Sequence, residues 1–453
     1  MLAALLPSLV VMSLMFGQAW GAVKASVRLI PAAARQAIAP PRRVFAHYVM
    51  CCTLHGPNVS VPQLGQEIAL ARDAGLDGFV LNVGAWTRYP SYASDTKNFF
   101  AAARATATQF KLFFSLDPSG GLTPAEGADI IATYRTDPAY FRVNGMAVVS
   151  TFASSDRWNR ELRALLQRRG IAILLVPHMV STRDEGESGG HETPGPELVA
   201  RFLTDDPELA GYSWFGAAAP GRTLGDVSRA AALAARRLGK FYIAPITPYY
   251  LGHNTNNRVF DNAGFAGLDS QWMAAIEGGA TWAQIVTWND WEERSYVRPL
   301  GVGAQADTGQ WGPRNPHDGF LDASRYFIDW YKSGRKPTIR STRAFVAFRP
   351  DPVSRCIKDR YACPAGTQTL SDTLYVVVEA AAATSVTLNA GDRTRTFAIP
   401  AGRTSLRMPM ARGDVSIALS SRGLRRYWRA PVGFAIVPNS DRLNMVAFTV
   451  PLE

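Results

Sequence analysis

The chain has 453 residues, 47% hydrophobic and 19% charged, which excludes an intrinsically disordered protein and leaves room for more than one domain. Its net charge of +11 is uneven: residues 334–453 hold 18 Lys/Arg against 8 Asp/Glu, leaving 30 against 29 in the rest. No nucleic-acid partner is expected; the basic part is either a soluble basic domain or a surface that contacts an anionic cell wall or membrane face.

Residues 2–16 are an apolar run followed by small residues around Gln18–Ala22. This reads as a signal peptide over 1–22, cleaved near Gly21 or Ala22, and so as a secreted or periplasmic protein. The basic n-region is missing, which leaves an uncleaved anchor or a different start open. The four cysteines suit export. Cys356 and Cys363 flank six residues and can close a local disulfide, while the adjacent Cys51 and Cys52 read as packed thiols or a vicinal bridge. No His/Cys metal spacing, P-loop or nucleophile elbow occurs, so neither metal nor cofactor is expected.

From residue 40 to 336, short continuous apolar runs alternate with amphipathic stretches. The runs are 44–50, 78–84, 111–117, 146–152, 172–179, 211–217, 241–248 and 283–290. They are rich in Val, Ile and Phe and read as strands buried on both faces. Helices are expected over 61–76, 95–107 and 222–238, with Leu64, Ile68 and Leu70–Ala71 forming the apolar stripe of the first. Eight such alternations predict a (β/α)₈ TIM-like barrel, with a doubly wound open sheet as competitor. In 337–453 eight short runs (343–348, 374–380, 385–390, 395–400, 405–410, 415–420, 432–438 and 445–450) predict an antiparallel β-sandwich.

Barrel active sites lie where strands end, so polar and aromatic residues there are candidates. His47, Asn82, Asp117, Ser150, His178, Trp214, Tyr249 with Tyr250, and Asp290 with Glu293 fall at those ends. The last of them lie in Thr287–Tyr296, TWNDWEERSY, where carboxylates sit among indoles. Carboxyl groups trade protons with a glycosidic oxygen and a water, and aromatic faces stack on a pyranose. Trp86, Trp214, Tyr249, Trp288, Trp291 and Tyr296 are therefore substrate-binding candidates, beside hydrogen-bonding His47, Asn82, Asp117 and His178. For each aromatic a core position is the plain alternative, as is a turn for Asp117 and a satisfied core role for His47. Glu292 rivals its neighbour Glu293. The Gly-rich loop Ser181–Pro196 can cover a cleft or be a solvated loop, and His317–Asp318 is expected to cap the last helix.

The segments VFAHYVM (44–50), AGLDGFVLNVG (74–84), FKLFFSLD (110–117), GMAVVSTF (145–152), APITPYY (244–250), IVTWNDWEERSYV (285–297) and HDGFLDASRYFIDWYK (317–332) together resemble glycoside hydrolase family 71, the α-1,3-glucanases or mutanases. The resemblance implies endo-hydrolysis of α-1,3-glucan on a TIM-like barrel, with inversion and a β-rich C-terminal domain. The family's last-strand pattern, WND-Tyr-Gly-Glu-Ser-His-Tyr, places Asp290 and Glu293 at the paired carboxylates and Tyr296 at the closing aromatic. Trp291, Glu292, Arg294 and Ser295 depart from it, which bears on substrate more than on reaction.

Three residues apart, Asp290 and Glu293 would have Cα atoms about 10 Å apart if extended, or Cβ atoms roughly 5–6 Å apart on a helical turn. Inverting pairs stand about 6.5–9.5 Å apart and retaining ones about 5–5.5 Å, so spacing leaves both outcomes open. The working assignment is Glu293 as general acid and Asp290 as general base; the alternatives are the reverse, and a structural pair in which Asp290 caps the loop and Glu293 joins a surface ion pair. A polysaccharide-binding protein without turnover and a hydrolase of a different polysaccharide are the competing functions.

Overall fold

The structure, a computed structural model, describes residues 40–106, 109–181, 196–217, 219–252, 257–260, 262–300, 314–352, 366, 370–421, 423–437 and 444–451. The expected signal segment 1–22, the interior of the Ser181–Pro196 loop and the Cys356–Cys363 pair lie outside those residues.

Each of the eight expected runs contributes a strand: β1 (Arg43–Val49), β2 (Gly78–Val83), β3 (Lys111–Leu116), β4 (Met146–Thr151), β5 (Ile173–Leu175), β6 (Gly211–Ser213), β7 (Phe241–Ile246) and β8 (Trp282–Ile285). Parallel pairing runs β5-β4-β3-β2-β1-β8-β7-β6, and the short segment Arg142–Val143 adds antiparallel to β4. This is the neighbour order of a curled sheet. No ladder joins β5 to β6, although Ala210 N–H donates to Leu175 C=O (2.8 Å) and Ser213 N–H to Pro177 C=O (2.9 Å). The strands are buried almost throughout, which is why they read as continuous rather than alternating runs. Gly78 is required where β2 begins, because a Cβ there would lie 1.9 Å from Lys111 O of β3.

The helices between the strands are α1 (Val61–Asp73), α2 (Pro90–Thr106), α3 (Pro124–Tyr134), α4 (Asp156–Arg168), α5 (Pro196–Asp205), α6 (Gly221–Arg237), α7 (Phe265–Gly278) and α8 (Asp318–Ser333). Ser60 with Gln63 and Thr123 with Glu126 form capping boxes that start α1 and α3, each with a proline in the first turn. None of the helices among the described residues is long and apolar enough to cross a membrane.

The C-terminal region forms two antiparallel sheets. One is ordered β13 (Gly402–Pro409), β10 (Thr373–Ala380), β9 (Arg343–Phe348), β16 (Val446–Val450). The other is β12 (Arg393–Ile399), β11 (Thr384–Ala390), β14 (Val415–Ser421), β15 (Leu424–Arg429). Val346 and Val376 from one sheet share a buried apolar cluster with Leu388 and Ile417 from the other. One expected strand is corrected. Of the run 432–438, the described residues 432–437 form no strand and make only an isolated bridge between Ile436 and Gly413. The strand is Leu424–Arg429, an edge strand whose Arg425, Tyr427 and Arg429 are exposed while Trp428 is buried. Pro431 precedes the run and Gly433 interrupts it, yet Phe434 and Ile436 still fill the core.

Pro40–Glu453 hold together as one unit. Arg403 of β13 pairs with Asp269 of α7 (2.7 Å), and a Cβ on Gly319 of α8 would meet the Phe448 backbone at 2.7 Å. His317 opens α8 without capping it through its side chain, contrary to expectation. Its ring instead bridges the carbonyls of Tyr296 and Met445, both at 2.9 Å. Asp318 Oδ1 accepts the Leu300 N–H (3.1 Å).

Candidate active site

The chain leaves β8 and turns back on itself between Thr287 and Val297. Thr287 N–H donates to Ser295 C=O (3.0 Å) and Val297 N–H to Thr287 C=O (3.1 Å). Within this closure Thr287 Oγ1 accepts the Asp290 N–H, and Asp290 Oδ1 accepts the Glu293 N–H, both at 2.9 Å. Asp290 and Glu293 therefore lie on one tight turn rather than along an extended strand. Arg294 completes it with a left-handed φ of 54°, a conformation few side chains adopt without support from their surroundings.

That support comes from large buried groups. Asn289 accepts the Val49 N–H (2.8 Å) and donates to the carbonyls of Val49 and Cys52 (3.0 Å each), clamping the end of β1. Trp291 Nε1 donates to the same Cys52 carbonyl (2.6 Å), and the Arg314 guanidinium lies 4.3 Å from its ring. Cys51 and Cys52 are joined by a disulfide in the 3₁₀ turn after β1, the vicinal bridge among the readings of the sequence. Trp288 Nε1 donates to Glu67 Oε2 (2.6 Å), and Glu67 is also paired with Arg298 (2.8 Å). The Tyr296 hydroxyl donates to Asn315 C=O (2.7 Å), and its ring stacks on His317 with centroids 4.3 Å apart.

The two carboxylates have different surroundings. Burial pushes the Asp290 carboxyl up to about 6; the charge of Glu292 adds to this, while backbone N–H groups and Arg294 oppose it. Glu293 Oε1 accepts a hydrogen bond from the Tyr250 hydroxyl (2.7 Å). The Glu293 carbonyl accepts the Leu251 N–H (2.9 Å).

Around the other strand ends, His47 and His178 form one cluster with Phe152 and Phe215. The His47 ring lies 4.9 Å from that of Phe215, and the Phe215 N–H donates to His178 Nδ1 (3.4 Å). Burial, with His178 nearby, holds His47 down to about 3, so it is a neutral hydrogen-bonding group; its Nδ1 lies 3.3 Å from Gln284 Nε2. Asn82 Nδ2 donates to Asp117 Oδ2 (3.4 Å), while Ser119 Oγ (2.5 Å) and the Gly120 N–H (2.9 Å) donate to Asp117 Oδ1. Burial nevertheless raises the Asp117 carboxyl above its ordinary range. The turn reading of Asp117 thus holds geometrically, and its other oxygen faces Asn82. Ladder pairing links these groups to the carboxylate turn: Val49, clamped by Asn289, is the register partner of Asn82, and the His47 carbonyl accepts the Trp288 N–H (2.7 Å).

The stacking candidates divide. Trp86 is half-buried. Trp214, Tyr249, Trp288, Trp291 and Tyr296 are buried, with at most 2% of their surface exposed. Their faces are packed by protein: Phe79 lies against Trp288, His317 against Tyr296, and His317 and Arg349 against Tyr249. Buried as placed, they offer no face to a sugar, and Trp288, Trp291 and Tyr296 belong to the turn itself and anchor it. Sequence reasoning placed Tyr250 at a strand end and Asn289 beside Asp290 without giving either its role, and missed Glu67. Glu67 left a signal, since it lies three residues after Leu64 and four before Ala71 on the apolar stripe of α1. Among the described residues no group of three or more His, Cys, Asp or Glu is arranged for a metal ion.

Several known proteins are similar to this chain. A mutanase of Penicillium rubens is 27% identical over 394 residues, covering 84% of this chain and 82% of the relative. The glucan endo-1,3-alpha-glucosidase agn1 of Schizosaccharomyces pombe is 25% identical over 391 residues, covering 82% and 85%. In fold alone, the family 99 endo-alpha-mannosidase of Bacteroides thetaiotaomicron is similar, with a TM-score of 0.50 at 15% identity over 65% of this chain and 99% of that one. The model of glycosyl hydrolase family 71 matches residues 40–428, and the chain belongs to that family of glycoside hydrolases.

Proposed function

We propose that the protein cleaves α-1,3-linked glucan within the polymer, with inversion at the anomeric carbon. Glu293 gives its proton to the glycosidic oxygen as the C–O bond breaks, and the departing sugar leaves as an alcohol. Asp290 takes a proton from a water that attacks the anomeric carbon from the opposite face, so the new hydroxyl carries that water's oxygen. The observation that carries this reading is the pair of carboxylates on one braced turn after the eighth strand of a family 71 chain. Their surroundings support the division of roles. Burial makes Asp290 a stronger base than a solvated aspartate, and the Tyr250 hydroxyl stabilises the carboxylate that Glu293 becomes. Asn82, Asp117 and His178 supply hydrogen bonds to sugar hydroxyls, and Trp86 a stacking face; His47, as deeply buried as Trp214, packs behind them on Phe215.

For the scaffold, the two backbone bonds between β5 and β6 support closure of the curled sheet into a full (β/α)₈ barrel, and the shared apolar cluster supports a C-terminal β-sandwich. Action outside the cytoplasm fits the apolar run 2–16 and the Cys51–Cys52 bridge.

The stereochemistry is tested by proton NMR during hydrolysis of a soluble α-1,3-gluco-oligosaccharide. The β-anomer is expected to form first and then mutarotate; first appearance of the α-anomer would contradict inversion. The exposed Arg393, Arg395, Arg407 and Arg425 further suit contact with an anionic envelope polymer. Retention on an acidic polysaccharide resin is then expected to be lost between about 0.1 and 1 M salt, where the screening length falls from about 10 to 3 Å; retention unchanged over that range would rule the contact out.

A further inference from the structure

Past β7 the chain forms a short antiparallel pair, Tyr250–Gly252 with Arg258–Phe260. This hairpin meets Glu293 twice, through the Leu251 N–H to its carbonyl (2.9 Å) and through the Tyr250 hydroxyl to its Oε1 (2.7 Å). The Tyr250 ring is 5% exposed and clusters with Ala217, Val286, Phe215 and Phe260, the last at 5.7 Å between centroids. A phenol held this firmly has little freedom to point its hydroxyl elsewhere. Its neighbour Tyr249 faces the opposite way, toward His317 and Arg349, as adjacent residues of an extended segment do.

We propose that Tyr250 is a positioning residue for Glu293: its hydroxyl engages one carboxyl oxygen, fixes the direction in which the carboxyl presents its transferable proton, and stabilises the carboxylate left after transfer. The proposal rests on Glu293 being the general acid. A donor to a carboxylate favours its ionised form, so Tyr250 holds the Glu293 proton more loosely than an isolated buried glutamate would. The hydroxyl also fixes the carboxyl rotamer, so that the proton is presented in one direction instead of several.

The test uses the full chain, Tyr250→Phe and Glu293→Gln on two substrates, a soluble α-1,3-gluco-oligosaccharide and its 2,4-dinitrophenyl glycoside. The aryl leaving group departs without a proton and so needs no acid. Tyr250→Phe is expected to lower kcat on the oligosaccharide by about ten- to a hundredfold, the range for a hydrogen bond to a charged group, with KM little changed. The loss should largely disappear on the aryl glycoside, and the alkaline limb of the pH profile should move to higher pH. 3-Fluorotyrosine at position 250, a stronger donor with the same packing, should move that limb to lower pH. Equal losses for Tyr250→Phe on both substrates with a fixed alkaline limb would reduce Tyr250 to a structural part and overturn the proposal. Recovery of Glu293→Gln on the aryl glycoside confirms the acid on which it rests. No such recovery would remove that acid, and the proposal with it. Activity of Tyr250→Phe on the aryl glycoside, with its thermal midpoint, reports that it is folded. If it is not, the fluorotyrosine shift decides alone: a limb that stays in place overturns the proposal.

Discussion

Glu293→Gln is expected to lower hydrolysis of α-1,3-glucan by about a thousandfold, the middle of the range for removing a general acid. The substitution deletes one proton and almost nothing else. Glutamine keeps an oxygen that can accept the Tyr250 hydroxyl, and the backbone bonds from Leu251 and to Asp290 are untouched. The thermal midpoint should therefore stay near that of the wild type, and binding to insoluble glucan should persist. A variant retaining a tenth or more of wild-type kcat would remove Glu293 from the chemistry.

Asp290→Asn is expected to cost a similar factor, about a thousandfold, for a different reason. An amide oxygen can still accept the Glu293 N–H, so the turn survives, but it cannot take a proton from water. In the wild type this role sets the acid side of the pH dependence. Burial raises the Asp290 carboxyl to about 6, so below that pH it is protonated and cannot act as a base. Activity should accordingly rise as pH increases through about 6. Under the reversed assignment, with Asp290 as acid, activity would instead fall through the same region. A pH profile of kcat/KM thus separates the two assignments without any variant, and Asp290→Asn should remove the limb along with most of the rate.

The elements that bury both faces could be read from the sequence, since a continuous apolar run must be covered on every side wherever it folds. The eight parallel strands and α1, α2 and α6 fall where their runs and stripes place them, and α8 where the family resemblance does. The edge strand Leu424–Arg429 could not be seen in this way, because only one face packs and its exposed arginines break the apolar pattern. At the site, the polar strand ends were legible as residues but not as partners. Nothing in the sequence distinguishes Tyr249 from Tyr250, although one-residue parity sends the first to Arg349 and the second to Glu293. Trp288 and Trp291 flank the carboxylates and so suggested sugar stacking. Their indole N–H groups are instead used by Glu67 and the Cys52 carbonyl, residues more than 200 positions away that no local pattern could connect.

The central claim, that this chain hydrolyses α-1,3-glucan, is tested most directly by incubating purified protein with insoluble α-1,3-glucan and counting new reducing ends over time. Steady release of oligosaccharides, with the glucan shortening before glucose accumulates, is the predicted result. No release while the protein still sediments with the glucan would contradict it and leave a binding protein on a hydrolase scaffold.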